Sequence, residues 1–170
     1  MPNVNTKAHV LVRDSFTCRY CGARLYLAQA VKVLEMHKPG RIYWDVHWAT
    51  EPLKSHGATV DHIIPEDEGG YDTIDNLVAC CVVCNSSKDN GKRNLLPKPL
   101  SGSWDGGSGI FLTLAPMFAD RLSKEDKKWL KALEREGIKQ DGEDAQTGIN
   151  MILSSHLQYS KADPRETAPR

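Results

Sequence analysis

Two Cys-x-x-Cys pairs constrain this chain more than any other feature. Cys18 and Cys21 stand in CRYCG; Cys81 and Cys84 stand in CCVVCN. A Cys-x-x-Cys turn points two thiolates at one tetrahedral ion about 2.3 Å away, and two such turns make a closed structural zinc site. Fifty-nine residues separate the pairs, against the ~15–20 of a compact zinc ribbon. The ion must therefore clip together segments far apart in sequence while the residues between them loop out. The entropy of closing a loop grows only slowly with its length, so this is not prohibitive. Five cysteines are too few and too unevenly placed for a disulfide scaffold, and under reducing conditions metal binding is the better reading of a close pair. A redox role is disfavoured, because no βαβ pattern surrounds either pair. The fifth cysteine, Cys80, faces away from Cys81 on a strand, which places it in the core.

The 170 residues suffice for one domain with its own core, and 40% apolar with 26% charged residues is ordinary for a soluble globular protein. No apolar run approaches the ~20 residues that span a bilayer. The opening MPNVNTKAHV lacks the apolar stretch of a secretory signal, so a cytoplasmic location is expected. The formal net charge is zero, but it is not evenly spread. Residues 1–32 carry five basic side chains and one acidic; residues 33–75 carry three and nine; residues 76–99 carry four and one. An acidic block between two basic ones suits acids gathered near a divalent ion. On its own it reads more simply as solvated surface.

Along the chain, KAHVLVRD (7–14) is a short amphipathic piece, helix or strand. LYLAQAVKVLEM (25–36) has apolar residues at helical spacing and is ended by HKPG. RIYWDVHW (41–48), ATVDHIIP (58–65) and NLVAC (76–80) read as strands, the second stopped by Pro65. CNSSKDN opens a helix or turn. Residues 95–109 are rich in Gly, Pro and Ser and read as a linker or long loop. Ser123 before KED resembles an N-cap, so an amphipathic helix is expected over 124–136, closed by Gly137. Residues 144–157 form a last helix in this reading, followed by a disordered tail.

The stretch DHIIPEDEGG (61–70) carries the chemistry. Asp61 and His62 end a strand; Asn76 begins the next; Asn85 directly follows the second cysteine pair. A hard cation such as Mg²⁺ takes oxygen ligands from one or two carboxylates or amides, and Asp61 and Asn85 can supply them. A neutral histidine can take a proton from water if a bond to its other nitrogen holds the ring, and Asn76 is placed to help there. Alternation along a strand separates the two roles, with Asp61 toward the ion and His62 toward the water.

RDSFTCRYCG followed by TVDHIIPEDEGGYDTIDNLVACCVVCNSSK resembles the HNH endonuclease family. The shared elements are RD-x-x-x-C-x-x-C-G, D-H-I-x-P-x-x-x-G-G and N-L-x-x-x-C-x-x-C-N-x-x-K, over residues 13–22 and 59–88. The resemblance implies an α+β fold: a ββα-metal core braced by a structural zinc site, with a helical insert and a mostly helical C-terminal extension. The expected division is a nuclease domain at 1–99, its insert at about 25–57, then a linker and helical extension at 100–170. The resemblance makes His62 the general base and Asp61 and Asn85 the ligands of a catalytic Mg²⁺ or Mn²⁺. It makes Asn76 the residue that orients the loop and the histidine, and Cys18, Cys21, Cys81 and Cys84 the ligands of structural Zn²⁺. Position 85 is Asn where the family name implies a final His, a change that occurs in the family and keeps an oxygen ligand. Lys88, Lys92 and Arg93 are the candidate phosphate contacts. The implied reaction is hydrolysis of a DNA phosphodiester to 5′-phosphate and 3′-hydroxyl ends. A partner protein or homodimer would serve double-strand cutting, and a phage-encoded protein acting in a host cytoplasm is compatible with these features.

The alternative is a zinc-ribbon module that binds nucleic acid or protein without catalysis; it would need none of Asp61, His62 and Asn85, and all three are present. His47 and His56 read as solvated loop residues, and His9, His37 and His156 have no evident partners. Tyr43, Trp44 and Trp48 read as core side chains ahead of base-stacking ones. Lys124, Lys127, Lys128 and Lys131 read as a solvated, salt-bridged helix face.

Overall fold

A computed structural model describes residues 1–40, 53–89, 96–100 and 103–138, with residues 150 and 154. The strand expected at 41–48, the tail, and all but two residues of the helix expected at 144–157 lie outside the described residues. So do Tyr43, Trp44, His47, Trp48, Lys92, Arg93 and His156.

The fold is α+β. An antiparallel hairpin, β1 (Ala58–His62) and β2 (Leu77–Cys81), runs directly into a helix that packs against it, α4 (Val82–Asp89). The register sets Asp61 opposite Val78 and His62 opposite Leu77. β2 is the apolar run LVACC and is buried along its whole length, whereas β1 is half-buried throughout. That asymmetry leaves the DH end of β1 open to a cleft.

Helices enclose the hairpin. Helix α1 (Val4–Arg13) starts at Asn3, whose side-chain oxygen accepts the Thr6 N–H at 3.1 Å, and buries Ala8, Val10 and Leu11. Helix α2 (Ala28–His37) buries Ala30, Val31, Val33 and Leu34, and ends at the HKPG breaker. A single turn, α3 (Leu53–His56), leads into β1. Helix α5 (Ser108–Leu114) is almost wholly buried against α2, and α6 (Lys124–Arg135) packs on α1. Residues of α1, α2, β2, α5 and α6 belong to one continuous apolar core.

Helix α5 begins inside the Gly/Pro/Ser-rich stretch that reads as linker or loop, and the residues before it are packed too. The Leu27 N–H donates to Gly106 O at 2.9 Å, and Trp104 Nε1 donates to Leu25 O at 2.7 Å. The buried Phe16 ring lies against Gly106, where any Cβ would come within 2.1 Å of Phe16 Cδ1. Glycine content here serves close packing, not chain freedom.

One buried charge joins the helical layer to the hairpin. Asp14, fully buried at the end of α1, accepts from Arg13 Nε (2.9 Å) and Arg19 (3.0 Å) on one oxygen. Its other oxygen accepts from Arg13 and from the Ala79 backbone N–H, both at 2.9 Å. Arg13 also donates to Ile74 O and Leu77 O. The carboxylate is thus fully paired, as a buried charge must be, and this accounts for the RD of the first motif.

Candidate active site

The four expected cysteines meet. The sulfurs of Cys18, Cys21, Cys81 and Cys84 all lie within 4.8 Å of one another, and Cys21 Sγ is 3.9 Å from Cys81 Sγ. Tetrahedral bonds of about 2.3 Å to one zinc put sulfurs roughly 3.8 Å apart. The first knuckle folds because Gly22 N–H returns to Cys18 O and Cys18 N–H bonds Ala23 O, both at 2.8 Å. Arg19 N–H then donates to Ala79 O at 2.9 Å, holding that knuckle on β2 beside the second pair. The Cys84 N–H points at Cys81 Sγ at 3.3 Å, a bond that favours thiolate. A hydrogen bond with Cys81 draws the Cys18 thiol down to about 4. The same bond, with burial, pushes Cys81 far up, and burial together with the Cys18 charge pushes Cys84 to about 12. Four cysteine sulfurs this close suggest a divalent ion, and an all-sulfur donor set suits zinc. Cys80 takes no part: it is fully buried and opposite in direction, and burial pushes its thiol up.

Beside this cluster, Asp61, His62, Asn85, Thr59 and Lys88 line one cleft of about 600 Å³. Two elements supply them: β1 gives Thr59, Asp61 and His62, and α4 gives Asn85 and Lys88, while Pro65, Glu66 and Asp67 of the loop between the strands also line the cleft. Asp61 accepts two bonds on Oδ2, from the Tyr20 hydroxyl at 2.6 Å and the Lys88 ammonium at 2.8 Å. Asn85 donates from Nδ2 to Thr59 Oγ1 at 3.4 Å, so its Oδ1 remains an acceptor.

Lys88, a candidate phosphate contact on sequence grounds, is turned inward. It is 4% exposed. Its ammonium also donates to the backbone oxygens of His62 and Ile63, and lies 5.6 Å from the centre of the Tyr20 ring. The physical reason is position: three residues after Asn85, it shares the face of α4 that covers β1. Tyr20 is a residue that motif reading passed over. Burial and the bond to Asp61 push its phenol well up, so it stays a donor. Its only sequence signal is its place inside the first cysteine pair.

His62 meets a partner that sequence reading did not single out. Its Nε2 is 2.7 Å from Asp72 Oδ1, while Glu66 Oε1 is farther, at 3.5 Å. The bond to His62 holds the Asp72 carboxyl below the usual range. Asn76 does not touch the imidazole. Its side chain staples the loop instead: Oδ1 accepts Ile64 N–H at 2.9 Å, and Nδ2 donates to Ile64 O (3.1 Å) and Tyr71 O (3.0 Å). Gly70 is required by the same closure, since a Cβ there would lie 1.8 Å from Ile64 O. So the second glycine of EDEGG lets the loop return on itself, and Asn76 locks it.

A hairpin running into a helix, with four thiols clustered at its base and an Asp-His pair at its rim, defines a cysteine-clustered ββα unit. Residues 50–91 match the HNH endonuclease family, and the chain carries an HNH endonuclease domain there. Such a domain implies nuclease activity and a nucleic-acid partner. No curated protein and no solved structure matches the chain. No described helix is long and apolar enough to cross a membrane.

Proposed function

We propose that the protein is a metal-dependent DNA endonuclease in which His62 takes a proton from the attacking water. The observation that supports this most is convergence: Asp61, His62 and Asn85 line one cleft on the ββα unit, and a zinc-only module has no use for any of them. The donor set fits a hard divalent ion such as Mg²⁺ or Mn²⁺, with Asp61 through Oδ1 and Asn85 through its amide oxygen. When bound, that ion supplies positive charge for the phosphoryl oxygens and the departing 3′ oxygen. The four cysteines would hold Zn²⁺, which would fix the base of the hairpin and so the direction of β1.

The remaining work falls to the chain. His62, 14% exposed, reaches the cleft with one nitrogen engaged and the other available for a proton. Lys88 and Tyr20 fix the Asp61 carboxylate so that only one oxygen is left free to coordinate. The products expected are 5′-phosphate and 3′-hydroxyl ends. Lys92 and Arg93 are assigned to the DNA backbone.

The test is nicking of supercoiled plasmid with Mg²⁺ or Mn²⁺ at low salt. Wild type should cut only with the divalent ion, and His62→Ala should cut about 10²–10⁴-fold more slowly, the range a general base contributes. Equal cutting by the two proteins would remove His62 from the role of base.

A further inference from the structure

Resting on the nuclease reading, we infer that Asp72 is the positioning residue of His62, fixing the ring as its Nε2–H tautomer and leaving Nδ1 as the proton acceptor. An ionised carboxylate can only accept hydrogen bonds. At 2.7 Å from Asp72 Oδ1, His62 Nε2 must therefore be the nitrogen that carries hydrogen. In the neutral ring the lone pair is then on Nδ1, the atom that can take a proton from water. When that proton arrives, the imidazolium forms against a carboxylate already in contact, with no rearrangement.

The competing carboxylate is Glu66, whose Oε1 lies 3.5 Å from Nε2, beyond a good hydrogen bond. Asp72 is also the better held. It follows Tyr71, whose carbonyl is fixed by Asn76 Nδ2, and Gly70, whose missing side chain lets the loop meet Ile64. The chain of placement runs Asn76, Tyr71, Asp72, His62. This assigns the middle asparagine an indirect hold on the base, through the backbone that carries its partner.

Asp72→Asn and Asp72→Ala in the full chain test this, with Glu66→Gln for comparison. Nitrogen NMR of the histidine rings, recorded on the alkaline side where imidazoles are neutral, reports the tautomer without any need for activity. Wild type and Glu66→Gln should show His62 as Nε2–H; both Asp72 variants should show a mixed or reversed tautomer. Zinc content should stay as in wild type, and melting temperature should fall by no more than about 4 °C, the loss expected from exposed ion pairs to His62 and the N-terminal amine, which a role in folding alone would exceed. In the nicking assay, kcat should fall about 10–100-fold, the usual effect of losing a residue that orients a histidine, with KM for plasmid unchanged. A wild-type Nδ1–H tautomer, or a tautomer that moves with Glu66→Gln and not with the Asp72 variants, would overturn the assignment. So would unchanged kcat in Asp72→Ala. A tautomer that depends on Asp72 in a protein that does not cut would support the pairing while refuting the nuclease reading.

Discussion

The Lys88–Asp61 pair shows how one side chain can be misread from its type and understood from its surroundings. Lysine is rarely buried unless paired, and here the partner is the carboxylate assigned to the ion. Removing one member of a buried pair is costlier than the pair is worth, because the other charge stays behind unpaired. Lys88→Met should therefore lower stability by about 3 kcal/mol, a fall in Tm of roughly 6–12 °C for a chain of this size. The measurement is thermal unfolding with zinc in place and no other divalent ion. Adding Mg²⁺ should then raise the Tm of the variant more than that of wild type, since the ion supplies charge that Asp61 has lost. Equal Mg²⁺ shifts would count against Asp61 as a ligand of the ion. At this scale the sequence is legible where a residue type has few uses. Four cysteines in two pairs, or an acid beside a histidine, announce themselves. Asp72 does not: it is one of nine acids between residues 33 and 75, and only the folded loop selects it.

Elements were readable where local rules and tertiary packing agree. Helix α6 is the clearest case, because its start is written in SKED. Ser123 Oγ accepts the Asp126 N–H at 3.1 Å, and Asp126 Oδ2 accepts the Ser123 N–H at 2.8 Å, a reciprocal cap. The same Oδ2 pairs with Lys32 on α2, so the cap also docks the helix. Helix α5 was hidden for the opposite reason: its approach is SGSWDGGSG, and glycines that serve contact with Phe16 look like linker. The Asp126 carboxylate gives α6 a pH signature. Burial opposes its ionisation, but Lys32 and Ser123 outweigh burial and hold its carboxyl below the usual value. A group depressed on folding stabilises fully above its unfolded pKa of about 3.9 and loses that contribution as pH falls through the folded value. Asp126→Asn should cost about 1–3 kcal/mol near neutrality. Below pH about 4 the gap between variant and wild type should close. Parallel Tm curves for the two proteins across that acid range would show that ionisation of Asp126 is not what stabilises the helix.

For the whole molecule the open quantity is how far the zinc clip is coupled to the core. A structural zinc site is worth about 10–16 kcal/mol of folding free energy in small zinc-finger peptides, and a whole domain has a net stability of only 5–15 kcal/mol. If the two are coupled, losing the ion removes the fold. The coupling is visible in the contacts. Cys18 and Cys81 belong to the same apolar cluster as α1, α2, α5 and α6. Ala79, two residues before Cys81, takes a hydrogen bond from Arg19 in the first knuckle and gives one to Asp14 at the end of α1. A knuckle that opens must therefore break a buried charge network as well as expose core side chains. Titrating the protein with a zinc chelator should release a single zinc per chain, with far-UV helical signal falling in step with release. Where some fold survives, Tm should be lower by about 20 °C or more. Cys84→Ala, which removes one ligand from the rim of the core, should show the same loss at a lower chelator concentration. Helical signal that persists after all the zinc is gone would mean that the helices carry a core of their own and that the ion positions only the hairpin, and with it Asp61 and His62. In that case nicking should disappear at once with zinc release while the helices stay folded, so following both signals in one titration separates a clip that holds the fold from one that only aims the site.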